Sequence, residues 1–500
     1  MMSFATDTHT SSSPSARAAR GASLLFVSQF AGYAFFFLSQ RTILSSLSKD
    51  DYGALAFVQQ TCSLVLVVLA DGGLNNVTIR EALHHPEKER DILSASLWLR
   101  LIGTTIGCLI IALFFLSTDA HLLTIAVTAA VSVVVSGRTA MLRSSLEMPM
   151  RVRTNFAPVA ILFVLDAALY AMLLWLYPGS LSAQSVISMQ LIATIPSLMF
   201  VVLRTKVLRY VIPLPPLSEI KALLRTTRSV VVQLLLQNIH AGIDVFALRF
   251  LTSLRELAVF GAVANMSMVV ITIYTALSTA LYPLLAEVSH SNDEILRNRV
   301  VRSLSMVSFV CIMAAAMLST ASPLIVEVFT KNVYADSVRA FQLQFWCSVA
   351  IVISQFALVM NTVMKQHRAV IVSGIMLVMG SLVFDFLLIP GYGTNGMLAA
   401  KTFSNIISAG VSLWYVRDRL GATSIMSIVR RIMVVSLVLC PLSVVSTQTI
   451  GLIPATVLVV VSGLFLGWWT QMISITDVHE LRRSVPFMKS HLRPQRNAQD

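Results

Sequence analysis

A fourteen-helix membrane bundle, built as two six-helix repeats in tandem with two further helices behind them, is the fold this sequence predicts. Three observations carry that expectation: apolar runs of membrane-crossing length, positive charge confined to alternate connections, and one phrase that occurs twice. The class is all-α and polytopic, with two parallel repeats forming two lobes around a central cavity.

The first observation concerns the solvent. Of 500 residues, 56% are hydrophobic and only 12% charged, against about 25% charged in ordinary soluble domains. Too few polar groups exist to cover a water-facing surface, so lipid takes that place. A bilayer core needs roughly 20 apolar residues per helix. Candidate spans fall at 22–40, 54–70, 93–116, 121–136, 156–177 and 185–203, then at 229–250, 259–285, 303–326, 341–364, 369–389 and 396–416. Two more follow at 432–447 and 452–473. The fourth and thirteenth are short. Cys62, Cys108, Cys311, Cys347 and Cys440 all lie in apolar runs without metal or redox spacing, so they read as small core hydrophobes. No cofactor and no metal site is expected.

The second observation orients the spans. With the N-terminus inside, 29 of the 37 Lys and Arg residues fall on cytoplasmic segments and 6 on outside loops. That bias is the positive-inside pattern. It puts both termini in the cytoplasm and the protein in the cell (inner or plasma) membrane. It also accounts for the formal charge of +13 without nucleic acid, since these charges meet anionic lipid. The chain then divides into a polar tail at 1–21, an N-lobe at 22–203, a basic amphipathic linker at 204–228, a C-lobe at 229–416, two extra spans within 417–473 and a basic tail at 474–500. In the linker, Leu217, Ile220 and Leu224 can share one face of a short interfacial helix.

The third observation is the repetition. Residues 44–56 read LSSLSKDDYGALA and residues 251–264 read LTSLRELAVFGAVA. Arg41 and Arg249 precede the two copies, and Pro178-Gly179 and Pro390-Gly391 follow the fifth and eleventh spans. Six spans separate equivalent features, so the two units share one orientation. Parallel repeats of this kind suit a transporter that rocks two lobes to open its cavity to each side in turn.

On these residues the sequence resembles the polysaccharide transporter family, the lipid-linked oligosaccharide or O-antigen flippases, within the multidrug/oligosaccharidyl-lipid/polysaccharide flippase superfamily. Besides the repeated turn, the resemblance rests on DGGLNNVTIR (71–80), GAVANM (261–266), YPLLAE (282–287) and IPGYGTNGMLAAK (389–401), in order across 22–416. It implies outward flipping of polyprenyl-pyrophosphate-linked oligosaccharide for O-antigen, lipopolysaccharide, capsule or exopolysaccharide biosynthesis. It also implies membrane lipids and polysaccharide polymerase or assembly proteins as partners. No GxSxG, HExxH or GxxxxGK[ST] occurs, so a transporter without covalent catalysis is expected. A Na⁺- or H⁺-coupled exporter of organic cations on the same scaffold is one alternative. A non-transporting scaffold for glycan assembly is another.

Intramembrane charge costs at least ~2.5–3.5 kcal/mol per residue, so each instance marks a candidate. Arg41 and Arg249 could form a symmetric pair of guanidinium forks for pyrophosphate; the competing reading is snorkelling at the interface. Lys401 lies about a turn and a half inside its span, facing either the cavity or a carboxylate such as Asp385. Gln237, His240 and Asp244 share one helix face, which reads as cavity lining. Asp244, Asp166 and Asp385 are the candidates for ion coupling. Arg100 reads as a snorkelling anchor, and Asp71 and Arg80 as a turn and an anchor.

Overall fold

The computed structural model describes residues 14–136, 147, 156–177, 181–205, 214–288, 293–364 and 366–472. The tail at 474–500, most of the tail at 1–21, the Pro178-Gly179 turn and linker residues 206–213 lie outside the described residues.

All regular structure among the described residues is helical. In order these are α1 (Pro14–Ser46), α2 (Lys49–Leu66), α3 (Leu74–His84), α4 (Glu89–Thr118), α5 (Leu123–Ser136) and α6 (Phe156–Leu176). Then come α7 (Ala183–Thr205), α8 (Leu217–Leu251), α9 (Leu254–Val288), α10 (Asp293–Thr320), α11 (Ser322–Thr330) and α12 (Val338–Val363). The chain continues through α13 (His367–Tyr415), α14 (Arg417–Leu420), α15 (Ala422–Ile450) and α16 (Leu452–Trp469). Among the described residues, ten helices are long and apolar enough to cross a membrane by length and composition.

One of those ten doubles back. Straight, the 49 residues of α13 would run about 74 Å at ~1.5 Å per residue, more than twice a ~30 Å hydrocarbon core. Gly393, at φ 55° and ψ −133°, breaks it three residues after Pro390; only glycine adopts such a backbone without strain. The arms then run antiparallel. Ser408 Oγ donates to the Ser373 carbonyl at 3.1 Å, the Phe384 and Phe403 rings lie 5.5 Å apart, and Gly396 abuts the Leu388 carbonyl. The two arms coincide with the spans expected at 369–389 and 396–416.

The chain forms two compact units. Unit 1 comprises Met1–Asn265 with Glu327–Tyr334; unit 2 comprises Met266–Val326 with Ala335–Asp500. In unit 1 the helix starts explain half of the repeated phrase. Ser48 Oγ accepts the Asp51 amide at 3.1 Å and donates to the Asp51 carboxylate at 2.8 Å. Ser253 Oγ accepts the Glu256 amide at 3.4 Å. Each copy is a Ser-x-x-acid cap restarting a helix after a tight turn.

Glycine explains the other half, because the two copies touch. A Cβ on Gly53 would collide with the Leu254 carbonyl, and one on Gly261 would meet Ala56 Cβ at 3.1 Å and the Tyr52 ring at 3.3 Å. Asp50 and Arg255 pair across this seam at 3.3 Å, both exposed. Beneath them Asn265 Nδ2 donates to Tyr52 Oη at 3.0 Å and to Gln40 Oε1 at 3.4 Å.

The expected linker helix is not a separate element among the described residues. From Leu217 it is the first part of α8, which continues to Leu251. Its buried face is Ile220 and Leu223 against Leu74, Val77, Ala95 and Leu99; Leu217 and Leu224 are exposed.

In unit 2, α12 is tied to α13 by Asn361 Nδ2 donating to the Ser412 carbonyl at 3.1 Å, and to α9 by Gln344 Nε2 donating to Ser267 Oγ at 2.9 Å. The two extra helices pack on α10. Thr447 Oγ1 donates to the Thr320 carbonyl at 3.2 Å, and Gly463 lets Met313 approach α16.

Candidate functional site

Three of the candidate polar residues of unit 1 lie on α8. Along its expected cavity face exposure falls steadily: Gln237 is half-buried, His240 is 8% exposed and Asp244 has no exposed surface. Next to this face, Gly242 meets the Leu64 side chain, so α8 lies directly on α2.

At the end of α8 the two arginines preceding the repeated phrase part company. Arg41 is exposed on α1. Arg249 is partly buried, and its Nη2 donates to both Asp119 oxygens at 2.9 and 3.0 Å. The same guanidinium lies 5.8 Å from the Phe57 ring centroid, within cation–π range. Phe57 in turn meets Phe115 and Phe246 edge-on, each at 5.7 Å. The preference of ring edges for ring faces makes this a packed aromatic joint among α2, α4 and α8.

The other end of α8 is also attached. Lys88 Nζ donates to Glu219 Oε1 at 2.8 Å. That hydrogen bond, and then the carboxylate's charge, raise the Lys88 ammonium above the ordinary lysine value. A raised folded-state value means the pair contributes fully below the ordinary lysine range and is lost only as pH climbs through the raised value. Its contribution is therefore flat through neutral pH. Charge reversal, Lys88→Glu, is expected to speed amide hydrogen exchange in the first turns of α8 while leaving its Asp244 end protected. Unchanged exchange at Glu219–Leu223 would refute that attachment.

The innermost charge pair was not apparent from sequence. Arg100 does not snorkel: it is 1% exposed, and its Nη2 donates to Asp71 Oδ1 at 2.9 Å. Three local features make the contact. After α2 the chain takes a π turn, Val67–Asp71, closed by the Gly72 amide on the Val67 carbonyl at 2.9 Å. Gly72 and Gly73 follow at φ 45° and 82°. Gly103, one turn beyond Arg100, lets α4 press against the Leu69 carbonyl. The DGG of the 71–80 motif is thus a carboxylate presented by a backbone only glycines continue. Arg80 does lie at the surface, paired with Glu81 at 3.1 Å.

Asp166 is half-buried on α6 in unit 1. In unit 2, the hairpin of α13 sets Asp385 on its first arm and Lys401 on its second at the same level as the Phe384–Phe403 contact. Asp385 is 1% exposed and Lys401 half-buried. Among the described residues no group of three His, Cys, Asp or Glu is arranged to hold a metal ion.

Comparison with known proteins places this architecture. A structure of the lipid II flippase MurJ in an inward closed conformation superposes with a TM-score of 0.67 at 11% identity, over 92% of this chain and 100% of that one. An inward-facing multidrug resistance MATE family transporter of the MOP superfamily gives 0.61 at 14% identity, over 78% of this chain and 94% of that one. A MOP superfamily transporter from Pyrococcus furiosus gives 0.59 at 15% identity, over 82% and 97%. At these identities the likeness is one of fold. No curated protein sequence matches. A family model described as polysaccharide biosynthesis protein matches residues 18–289, more than half of the chain. The chain therefore belongs to the polysaccharide biosynthesis protein family.

Proposed function

We propose that this protein is a flippase that carries polyprenyl-pyrophosphate-linked oligosaccharide from the cytoplasmic to the outer leaflet by alternating access. The cargo would feed O-antigen, capsule or exopolysaccharide assembly at the inner membrane, with both termini cytoplasmic. The family match over residues 18–289 is the observation that carries the reading. A fold shared with a lipid II flippase structure supports it.

Physical chemistry supplies the need for such a carrier. A sugar hydroxyl moved into hydrocarbon without a partner costs several kcal/mol. A multi-sugar head with pyrophosphate crosses only through a polar path, while its polyprenyl tail stays in lipid. No bond is made or broken. In this reading Arg41, Arg249 and Lys401 supply cations for the pyrophosphate, and Gln237 and His240 meet the glycan. Asp244, Asp166 and Asp385 are the carboxylates through which an ion gradient could drive the cycle. Each elementary charge moved through 100 mV is worth ~2.3 kcal/mol.

The test is a lipid extract from cells lacking the protein, analysed by mass spectrometry. Access of an external glycan-cleaving enzyme to the lipid-linked sugars reports the leaflet. Accumulation of a protected polyprenyl-linked oligosaccharide is expected. Unchanged lipid-linked sugars and surface glycan would reject the flippase. Sensitivity to organic cations in the same cells would then favour the exporter.

A further inference from the structure

Eight residues of the chain sit apart from their neighbours in sequence. The chain up to Val326 and from Ala335 onward belongs to unit 2, whereas Glu327–Tyr334 belongs to unit 1. Within unit 1 this segment docks beside the seam between the two copies of the repeated phrase. Phe329 meets Phe37 of α1 edge-on, with ring centroids 6.1 Å apart. Tyr334 meets Tyr52 edge-on at 6.5 Å, and Lys49 Nζ lies 5.2 Å from the centroid of the Tyr334 ring. Tyr52 is also the side chain that packs against Gly261 and accepts from Asn265 Nδ2. The docked segment and the seam therefore share one residue.

Backbone and charge both show that the docking is held in place. Helix α11 ends on Lys331 at φ 46°, followed by Asn332 at φ 66°. Helices commonly close on a left-handed residue, but that residue is usually glycine. A lysine there sets its Cβ against the carbonyl that follows, and such a backbone persists only where its surroundings over-determine it. Burial of one ring does so. Glu327, Lys331, Asn332 and Val333 are exposed, but Tyr334 has no exposed surface. Lys49 is the first residue of α2, the end at which a helix dipole disfavours a cation. The acids after it face elsewhere, Asp50 to Arg255 and Asp51 to Ser48. The Tyr334 ring face offsets the misplaced charge. A strained turn held down by one buried ring has two arrangements, docked and released.

We infer that Glu327–Tyr334 is a detachable strap. Tyr334, seated against Lys49 and Tyr52, holds the seam between the repeated turns closed, and its withdrawal frees that seam to open. The proposed alternating access gives the withdrawal its place in a cycle; the docking itself does not depend on the cargo.

The test is amide hydrogen exchange of the full chain in nanodiscs, followed separately at Lys331–Tyr334, at Tyr52–Phe57 on α2 and at Leu257–Gly261 on α9. Tyr334→Ala is expected to speed exchange about tenfold in all three, less than the full burial of an aromatic ring is worth. Tyr334→Phe keeps the ring and should restore most of the protection. Lys49→Ala removes a cation from a helix start, which by itself favours α2, so faster exchange at Lys331–Tyr334 in that variant reports the lost contact. Lys331→Asn relaxes the left-handed backbone without touching the ring and should slow exchange in the strap. Unchanged exchange at Glu219–Leu223, the far end of α8, separates release of the strap from loss of the fold. If Tyr334→Ala speeds exchange in its own segment alone, Glu327–Tyr334 is a packed loop and the inference is overturned. Unchanged exchange at Lys331–Tyr334 in Lys49→Ala would overturn it too. No arm requires transport, so a different cargo would leave the result standing.

Discussion

Gly53→Ala is expected to destabilise the protein by about 1–3 kcal/mol, although it adds one methyl group. The methyl has nowhere to go. Its neighbour would be the Leu254 carbonyl, which is backbone and cannot rotate away. Helices α2 and α9 would have to separate where the two copies of the repeated phrase meet. Separation would also stretch the Asn265–Tyr52 hydrogen bond below it. Gly410→Ala is the matched control. Nothing lies within 4 Å of a Cβ there, so the substitution should stabilise by up to about 1 kcal/mol through helix propensity. Thermal unfolding of the two purified variants should therefore shift in opposite directions. Equal shifts would show that the seam has slack.

The second large effect belongs to the buried ion pair. Asp71→Ala should cost about 3–5 kcal/mol, because it removes a carboxylate from the buried Arg100 guanidinium; Arg100→Ala should cost less, because Asp71 is only partly buried. The double variant Asp71→Leu/Arg100→Met removes both charges and keeps the volume. It should unfold at a higher temperature than either single variant, a non-additivity characteristic of contacting residues. If the two single losses simply add in the double variant, Asp71 and Arg100 are not coupled.

The parts of this fold that were legible in sequence depend on one-dimensional signals. Apolar runs located the helices because hydrocarbon demands them continuously along the chain. The paired phrases were legible because helix caps and close-approach glycines are specified by residue type at fixed spacing. The α13 turn was visible as two glycines and a proline between apolar arms. What stayed hidden required knowing who sits opposite whom. Arg100 looked like an anchor because its position within a span says nothing of the π turn 29 residues earlier, or of Gly103 admitting it. Arg41 and Arg249 looked equivalent because Asp119, 130 residues from Arg249, is invisible to a repeat alignment. On α8 the buried residue was Leu223 rather than Leu224. Neighbouring leucines lie about 100° apart on a helix, and a short pattern does not choose between them.

The tight reversal at Gly393 bears on how the protein is made. The arms of α13 emerge from the ribosome separated by only a few residues, with Asp385 on one and Lys401 on the other. A connection that short leaves no tether along which the first arm could settle while the second waited outside. A hairpin this tight is suited to entering the bilayer as one unit, its insertion depending on the combined apolarity of both arms. On that basis a further charge introduced in either arm is expected to lower insertion of the other arm as well, which glycosylation mapping of the two arms would read.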